Sequence, residues 1–370
     1  MKKTLFYFIA LSFGLHGYSQ AYEFQTIKDI EANPVISQDH TGTCWSFSTT
    51  SFLEAEIIRL TGKHIDLSEM YNVRQTYPKK AWVYIMRQGK AQFGEGGLAH
   101  DVINSARDNG LVPQSVYSGK LNPADEYSDV ELKTVLENLV KTYVANPNKE
   151  LSPRWKEAVN GVLDAYMGKA PTEFTYEAKQ YTPKTFMENT KLNPKDYVTI
   201  SSYTHEAYYK PFLLDIPDNF SNGLFYNVPL DEFIQNIDNA IDKGFTLAID
   251  TDVSEATFAG KKGIAVIPDS EADSKAILNE IKPEKTITAA YRQQEFENYN
   301  TTDDHLMHIV GKVKDQKGNL YYKVKNSWGQ DAGKNGFVYM SVSYLRLKAI
   351  SVLVHKDGLV AKTKASLGIQ

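Results

Sequence analysis

The chain has 370 residues, of which 42% are hydrophobic and 23% charged, and its formal net charge of −4 comes from 41 Lys and Arg against 45 Asp and Glu. These values exclude a disordered chain, a collagen-like repeat and a coiled coil. The near-neutral balance gives no sign of a nucleic-acid partner, and no hydrophobic run reaches the roughly 18 residues that span a bilayer. We therefore expect a folded protein without membrane insertion, with about two domains or one large domain carrying an insertion.

The first twenty residues have the pattern of an export signal. Lys2 and Lys3 precede an apolar stretch from Leu5 to Leu15, and small residues follow as far as Ser19. This order of charge, apolar stretch and small residues is typical of a secretory signal peptide. It predicts a signal peptide over residues 1–19 and an exported protein, either periplasmic or secreted. The alternative is a buried N-terminal helix.

The sequence pattern in the first third of the chain after residue 19 predicts helices. Residues 44–61 form a largely apolar segment that is followed by Gly62, a common helix stop. A second helix begins near Leu67. A third covers residues 98–109, where apolar residues recur on one face.

The composition of the sequence changes between these helices and a C-terminal part that is rich in predicted strands. From about residue 118 to 225 the sequence is polar and rich in Tyr and Pro, with helical patches, which predicts a helical insertion. An amphipathic helix follows Pro229, and an apolar strand covers residues 245–250. Four further β-type runs cover residues 305–315, 320–327, 336–342 and 350–355. This order predicts an α+β protein in which a helical half faces a β half.

Cys44 is the only cysteine, so the chain cannot form an internal disulfide. It follows a turn rich in Gly and Thr and opens the first predicted helix, whose N–H groups and positive dipole end favour a thiolate. A thiolate is the nucleophile that acyl transfer needs. Gln38 lies six residues upstream, and its amide could form an oxyanion hole with the Cys44 backbone N–H. The alternative for a lone cysteine is a buried, inert one.

The residues that could act together with Cys44 lie far along the chain. His305 opens a predicted strand, where it can face Cys44 and protonate a leaving amine. Asn326, at the end of the next strand, can accept a hydrogen bond from the other imidazole nitrogen, and Trp328 can shield that bond from water. His308 raises the alternative of a metal site with His305. The odd spacing places the two on opposite strand faces, so we predict no metal site and a packing or hydrogen-bonding role for His308.

These motifs, in this order, resemble those of the papain-like cysteine peptidases. The matching motifs are Gln38 with Cys-Trp-Ser-Phe at 44–47, Leu-Ser-Glu at 67–69, Gly-Gly at 96–97, Asp-His at 304–305 with Val-Gly at 310–311, and Lys-Asn-Ser-Trp-Gly at 325–329. Residues 209–233 and 292–305 further resemble the bleomycin hydrolase and aminopeptidase C branch of that superfamily. The resemblance extends from about residue 30 to residue 360.

The resemblance implies a papain-like fold of two lobes, one helical and one β-barrel-like, with a helical insertion at about 118–225. It also implies a role for each matching residue: Cys44 as nucleophile, His305 as general acid and base, Asn326 as its orienting partner, Gln38 as oxyanion donor, Asp304 and Trp328 as supporting residues, and Gly96 and Gly97 as a substrate-binding backbone wall. We expect the Asp303–Asp304 pair to modulate His305 and not to act as a carboxylate catalyst. No cofactor is implied.

The function implied is hydrolysis of peptide substrates through a thioester acyl-enzyme by an exported cysteine peptidase that resembles aminopeptidases. A papain-like endopeptidase and an inactive papain-like binding protein are the alternatives. By the same resemblance the insertion could mediate a homo-oligomer, a hexamer in that branch.

Two departures from the family pattern affect these expectations. Many secreted relatives carry a disulfide whose two cysteines correspond to Thr41 and Gly94 here. In the bleomycin hydrolase branch a C-terminal tail enters the cleft and restricts the enzyme to free N-termini. Here the tail, residues 356–370, is short and lacks the ending that is familiar in that branch. Two placements therefore remain open, with the tail either in the cleft or packed on the surface.

Overall fold

The computed structural model describes residues 22–146 and 149–370. The predicted signal peptide therefore lies outside the described residues. The α-helices are α1 (Cys44–Thr61), α2 (Glu69–Met86), α3 (Ala99–Asn109), α4 (Val130–Ala145), α5 (Trp155–Met167), α6 (Pro183–Asn189), α7 (Leu230–Asp242), α8 (Ala289–Glu297), α9 (Val342–Lys348) and α10 (Ala361–Ser366). Within the described ranges, none of these helices is both long and apolar enough to cross a membrane.

The strands are β1 (Phe24–Asp29), β2 (Phe174–Tyr176), β3 (Lys179–Tyr181), β4 (Tyr197–Ser201), β5 (Pro211–Leu213), β6 (Leu224–Asn227), β7 (Leu247–Thr251), β8 (Phe258–Ala259), β9 (Ile264–Ala265), β10 (His305–Asp315), β11 (Leu320–Lys325), β12 (Phe337–Ser341) and β13 (Ala349–His355). Eleven of them form one mixed sheet in the order β5-β6-β4-β13-β7-β10-β11-β12-β9-β8, with β1 added on β10. Its end strands, β5 and β8, do not pair with each other in the part of the chain that the structure describes. The α+β class is confirmed, and the β lobe is an open sheet and not a closed barrel.

Two hydrophobic cores lie on opposite sides of this sheet. The first is built by α1 to α6 and the sheet face that they cover. The second lies under α7 and α9 on the other face. Helix α1 is buried around almost its whole circumference, because it packs on α2 and α3 on one side and on β10 on the other. Its buried polar side chains are accommodated by internal hydrogen bonds, such as those that Glu54 accepts from the Leu67 N–H and Ser51 from the Lys325 ammonium.

Helix α1 has the bounds that its sequence predicts. It begins at Cys44 and ends at Thr61, and Gly62 adopts a left-handed conformation with φ of 69°. The Gly62 N–H donates to the Ile58 carbonyl at 2.7 Å, which closes the helix. Glycine takes this conformation without the steric cost that a Cβ atom brings. The helix end is therefore fixed locally, by the glycine itself.

The predicted insertion is part of both lobes of the fold. Its helices α4 and α5 pack into the first core through apolar residues that include Leu136 and Leu163. Strand β4, which the helical interpretation of this region did not anticipate, joins the main sheet between β13 and β6. Its sequence Tyr-Val-Thr-Ile-Ser is short, and β13 supplies the pairing that makes it a strand. The boundary at about 118–225 itself stays a prediction.

Helix α4 offers a test of this integration. Leu136 is 0% exposed, whereas Val130 in the same helix is 62% exposed. We predict that Leu136→Ala lowers the free energy of unfolding by about 2–5 kcal/mol, because it leaves a cavity in the first core. Val130→Ala should change it by less than about 0.5 kcal/mol. Urea denaturation of the purified variants measures both values. Equal effects would show that α4 is only loosely attached.

Candidate active site

Cys44 lies where the two lobes meet. It is the first residue of α1, and its side chain is 8% exposed. Its sulfur lies beside the backbone N–H of Leu306, the second residue of β10. Because the first N–H groups of a helix have no acceptor within the helix, the Cys44 backbone N–H is available to a bound ligand. The fold thus brings Cys44 to the strand that His305 opens.

His305 is held in one tautomer by Asn326. Its Nε2 lies 2.8 Å from Asn326 Oδ1, and that oxygen also accepts the backbone N–H of Ser327 at 2.8 Å. An amide oxygen can only accept, so Nε2 carries the imidazole proton and donates it to this bond. The other nitrogen, Nδ1, is left free to take up a proton.

Trp328 covers this hydrogen bond. Its ring centre lies 4.9 Å from the His305 ring and 6.0 Å from the Phe258 ring, and the side chain is 40% exposed. A Cβ atom on Gly260 would come within 2.7 Å of the indole, so a glycine is needed beneath it. The indole therefore lies over the imidazole of the imidazole–amide pair on its solvent side.

Burial acts on the thiol and the imidazole in opposite directions. It raises the pKa of Cys44 to about 12 and lowers the pKa of His305 to about 4, although the bond to Asn326 opposes the second shift. Both shifts favour the neutral forms, because a low-dielectric environment penalises charge. The thiolate that the helix N-terminus favours is thus opposed by burial. The pair becomes ionic only when a proton passes between its two members or when nearby charge changes.

Gln38 is fixed by three hydrogen bonds on the cleft floor. Its Nε2 donates to the Thr41 carbonyl at 2.7 Å, and its Oε1 accepts the Ser327 hydroxyl at 2.6 Å. The Gln38 backbone N–H donates to the Ser327 carbonyl at 2.8 Å. These contacts define which end of the amide is nitrogen. They leave one Nε2 hydrogen available to a ligand.

Gly96 and Gly97 are glycines because their neighbours leave no room for a Cβ atom. A Cβ on Gly97 would lie 3.1 Å from the Trp45 ring, and one on Gly96 would overlap the carboxylate of Asp218. The buried ammonium of Lys80 donates to the carbonyls of Gly94, at 2.7 Å, and Gly96. The predicted substrate wall is therefore rigid and has a carboxylate directly above it.

Asp304 and His308 have structural contacts of their own. Asp304 Oδ2 accepts the backbone N–H of Ser254 at 3.2 Å, and Oδ1 accepts the Thr302 hydroxyl at 2.8 Å. It therefore supports the turn that leads into β10, and these contacts do not include the imidazole that it was expected to modulate. His308 Nδ1 lies 3.0 Å from the Ser51 hydroxyl in the interior, which confirms the hydrogen-bonding role.

Sequence reasoning named Asp303 as a modulator of His305 but missed that it belongs to a group of carboxyls around Cys44. Asp303, Asp218 and Asp250 all lie close enough to Cys44 to raise its pKa. One signal was available: Asp250 interrupts the otherwise apolar strand β7, where a carboxylate is unexpected without a function. Asp218 could not have been found this way, because it lies in a surface loop.

The C-terminal tail packs away from Cys44. Helix α10 lies on α7, where Asn236 Nδ2 donates to the Thr363 hydroxyl at 3.2 Å and Leu367 joins the second core. The tail starts beside Phe245, which also stacks on Arg59 near the last turn of α1. Because α1 has 18 residues and rises 1.5 Å per residue, that end is about 26 Å from the end that Cys44 occupies. Of the two placements left open by the sequence, the structure has the tail packed on the surface.

Comparisons with known proteins identify the family of the chain. The model of the Peptidase C1-like family matches residues 91–369. Aminopeptidase G of Lactobacillus delbrueckii subsp. lactis is 24% identical and covers 90% of this chain and 83% of its own length. Cysteine proteinase 1, mitochondrial, of Saccharomyces cerevisiae strain JAY291 is 22% identical, with coverages of 90% and 76%.

The fold has a counterpart among solved structures. The crystal structure of PepW from Lactobacillus rhamnosis HN001 superposes with a TM-score of 0.73 and 18% identity, and the match covers 93% of this chain and 84% of PepW. At that identity the likeness shows the fold alone. The family match spans most of the chain and includes His305 and Asn326. The chain therefore belongs to the Peptidase C1-like family and is a cysteine-type peptidase.

Proposed function

We propose that the protein is an exported cysteine aminopeptidase that uses Cys44, His305 and Asn326. The observation that carries the proposal is the hydrogen bond from His305 Nε2 to Asn326 Oδ1 beneath Trp328, at the strand end against which Cys44 lies. Such a pair leaves Nδ1 to exchange a proton with a nearby nucleophile. An inactive binding protein would have no need for this tautomer to be fixed.

The proposed reaction has two halves. The Cys44 thiol gives its proton to His305 Nδ1, and the thiolate attacks the substrate carbonyl carbon. The Cys44 backbone N–H and the free Gln38 Nε2–H then stabilise the oxyanion. His305 returns the proton to the leaving amine as the C–N bond breaks, which leaves a thioester. A water molecule, deprotonated by His305, hydrolyses the thioester and regenerates the thiol.

The aminopeptidase part of the proposal is supported by the names of relatives. Aminopeptidase G and the aminopeptidase C of Lactococcus lactis subsp. lactis both match about nine-tenths of the chain. An endopeptidase is the alternative. Cleavage of one peptide in free and in Nα-acetylated form distinguishes them, because an endopeptidase accepts both.

The export part rests on the N-terminal sequence. Lys2 and Lys3 with the apolar stretch that follows support a signal peptide. N-terminal sequencing of the mature protein, expected to begin near Gln20, tests it. The homo-oligomer stays a prediction that light scattering can address.

Replacement of the nucleophile gives the first test. Cys44→Ser should abolish nearly all peptide hydrolysis, because a serine hydroxyl is far less acidic than a thiol and His305 cannot activate it comparably. The far-UV circular dichroism and the unfolding midpoint should stay close to those of the wild type. Since Cys44 is the only cysteine, one equivalent of iodoacetamide should label it and stop turnover. A fully labelled protein that still hydrolyses peptides would disprove the assignment.

Gln38 gives the second test. We predict that Gln38→Ala lowers kcat by roughly 10²-fold and leaves KM nearly unchanged, the usual result of losing one oxyanion donor. Ser327→Ala removes the hydroxyl that fixes the Gln38 amide and leaves the amide itself in place, so its effect on kcat should be smaller. Steady-state kinetics on one peptide substrate measure both. A rise in KM at constant kcat would instead make Gln38 a substrate-binding residue.

A further inference from the structure

We infer that the carboxyls of Asp218, Asp250 and Asp303 form the subsite that binds the α-ammonium group of the substrate's N-terminal residue. In this protein, selection of free N-termini is thus performed by side chains and not by the C-terminal carboxylate. The inference rests on the proposed aminopeptidase function and identifies the residues that give it specificity.

Asp250 is a buried carboxyl whose partner is another carboxyl. It lies in β7 directly opposite Leu306, the residue whose N–H approaches the Cys44 sulfur. The residue is 2% exposed, its carboxyl shares a hydrogen bond with that of Asp303, and its oxygens have no other hydrogen-bond partner among the described residues. A buried carboxyl normally has donors from outside an acidic group, since a carboxyl without them is destabilising. Such a pair of carboxyls beside Cys44 indicates that a ligand provides further donors.

Asp303 increases the negative charge at the same place. Its carboxyl faces that of Asp250, and one of its oxygens is also buried without a partner. Burial and the neighbouring acids raise the pKa of Asp303 to about 7 and that of Asp250 well above its usual range. The charges acting most strongly on Asp250 are all carboxyls, namely those of Asp303, Asp218 and Asp304. A bound cation would relieve this repulsion.

Asp218 comes from a separate segment of the chain. It belongs to the loop between β5 and β6, which is braced by hydrogen bonds from Asn219 Nδ2 to the carbonyls of Leu214, at 3.0 Å, and Gly223, at 3.1 Å. Its backbone N–H stabilises the Asp303 carboxylate, and its own carboxylate lies over Gly96. Burial raises the pKa of Asp218, and the Lys80 ammonium opposes that rise in part. The loop therefore holds a third carboxyl in a fixed position near the other two.

The spacing of the three carboxyls favours an ammonium group over a metal ion. Within the described ranges, the acidic group whose oxygens all lie within 4.8 Å of one another is a different one, Glu54 with Asp66 and Glu69. Asp218, Asp250 and Asp303 thus do not form a comparably compact group. An ammonium group donates in diverging directions over about 2.7–2.9 Å, so it can contact two of these carboxyls directly while the third acts through its charge.

The ammonium could belong to the N-terminus or to a lysine side chain of the substrate. The position of Asp218 favours the N-terminus. Its carboxylate covers Gly96, and a substrate chain continuing along this backbone would have to displace it. A chain that ends at this point meets no obstruction and brings its α-ammonium to the carboxyls.

The same geometry links recognition to reactivity. The three carboxyls oppose ionisation of Cys44. A bound ammonium offsets their charge, so it should lower the pKa of the thiol only when a free N-terminus is present. The subsite would therefore promote the reaction as well as binding.

The test compares kcat/KM for alanyl-, leucyl- and lysyl-aminomethylcoumarin with that for their Nα-acetyl forms. The wild type should prefer free amines. In Asp250→Asn, which keeps the shape and removes the charge, kcat/KM for free amines should fall about 10- to 100-fold, the usual loss for a charged hydrogen bond, while the values for acetylated substrates do not fall. Asp303→Asn should act in the same direction, and it decides the matter if Asp250→Asn does not fold.

Two controls separate the inference from other sources of selectivity. Asp215→Asn removes a carboxyl from the same loop, at an exposed position, and should leave the preference unchanged. Deletion of residues 368–370 moves the C-terminal carboxylate and should also leave it unchanged. If deletion removes the preference and Asp250→Asn and Asp303→Asn retain it, the inference is wrong. The inference is also wrong if kcat/KM for the Nα-acetyl-lysyl substrate equals that for the free amines, because the subsite then binds a side-chain ammonium group.

A binding measurement distinguishes failure of this inference from failure of the proposed function. Calorimetry of Cys44→Ala with tetra-alanine amide, free or Nα-acetylated, should show tighter binding of the free peptide, and the addition of Asp303→Asn should abolish the difference. Selective binding by a wild type that hydrolyses no peptide would overturn the proposed function alone. Hydrolysis of free and acetylated substrates at equal rates, with equal binding, would overturn the inference and leave a peptidase.

Discussion

Helix α1 packs against strand β10, and the arrangement of the cleft depends on that contact. The helix carries Cys44 at its first residue, and the strand carries His305 at its first residue. The two ends meet only because the helix lies along the strand, buried on almost every side within the first core. Such close packing tolerates little displacement. The relative position of thiol and imidazole is therefore set by the hydrophobic cores and not by contacts within the cleft.

A buried polar network holds the same contact behind the cleft. The Lys325 ammonium donates to the Ser51 hydroxyl of α1 at 2.7 Å, and that hydroxyl also meets His308 at 3.0 Å. Lys325 lies directly before Asn326, so this bond anchors the end of β11 from which Asn326 projects. The lysine also opposes the rise that burial causes in the pKa of Glu54, which reaches about 7. Buried charges are tolerated when they are paired in this way, and the pairing specifies one arrangement of helix and strand.

Local sequence patterns were sufficient for some elements and insufficient for others. The bounds of α1 follow from an apolar segment and a glycine, and β10 coincides with its predicted range of 305–315. The motifs that carry the proposed catalytic residues were recognisable because each is a short, chemically unusual run. Strand β4 was missed because its existence depends on a partner, β13, some 150 residues away. The acidic group at Cys44 was missed for the same reason, since its three members come from separate parts of the chain. The open sheet in place of a barrel-like lobe likewise depends on long-range pairing.

The three carboxyls of the proposed ammonium subsite come from two kinds of segment, at central strands and in a loop at the edge of the sheet. Asp250 lies in a central strand and Asp303 lies two residues before another, whereas Asp218 lies in a loop at the edge of the sheet. Central strands change rarely because their packing is constrained, and loops accept substitutions and insertions. Mutation of the loop can therefore alter the charge over Gly96 while α1, β10 and β11 keep the thiol, imidazole and amide in place. The protein is evolvable in this respect: a lineage can acquire a new substrate preference through one surface segment without rebuilding the fold that performs the reaction.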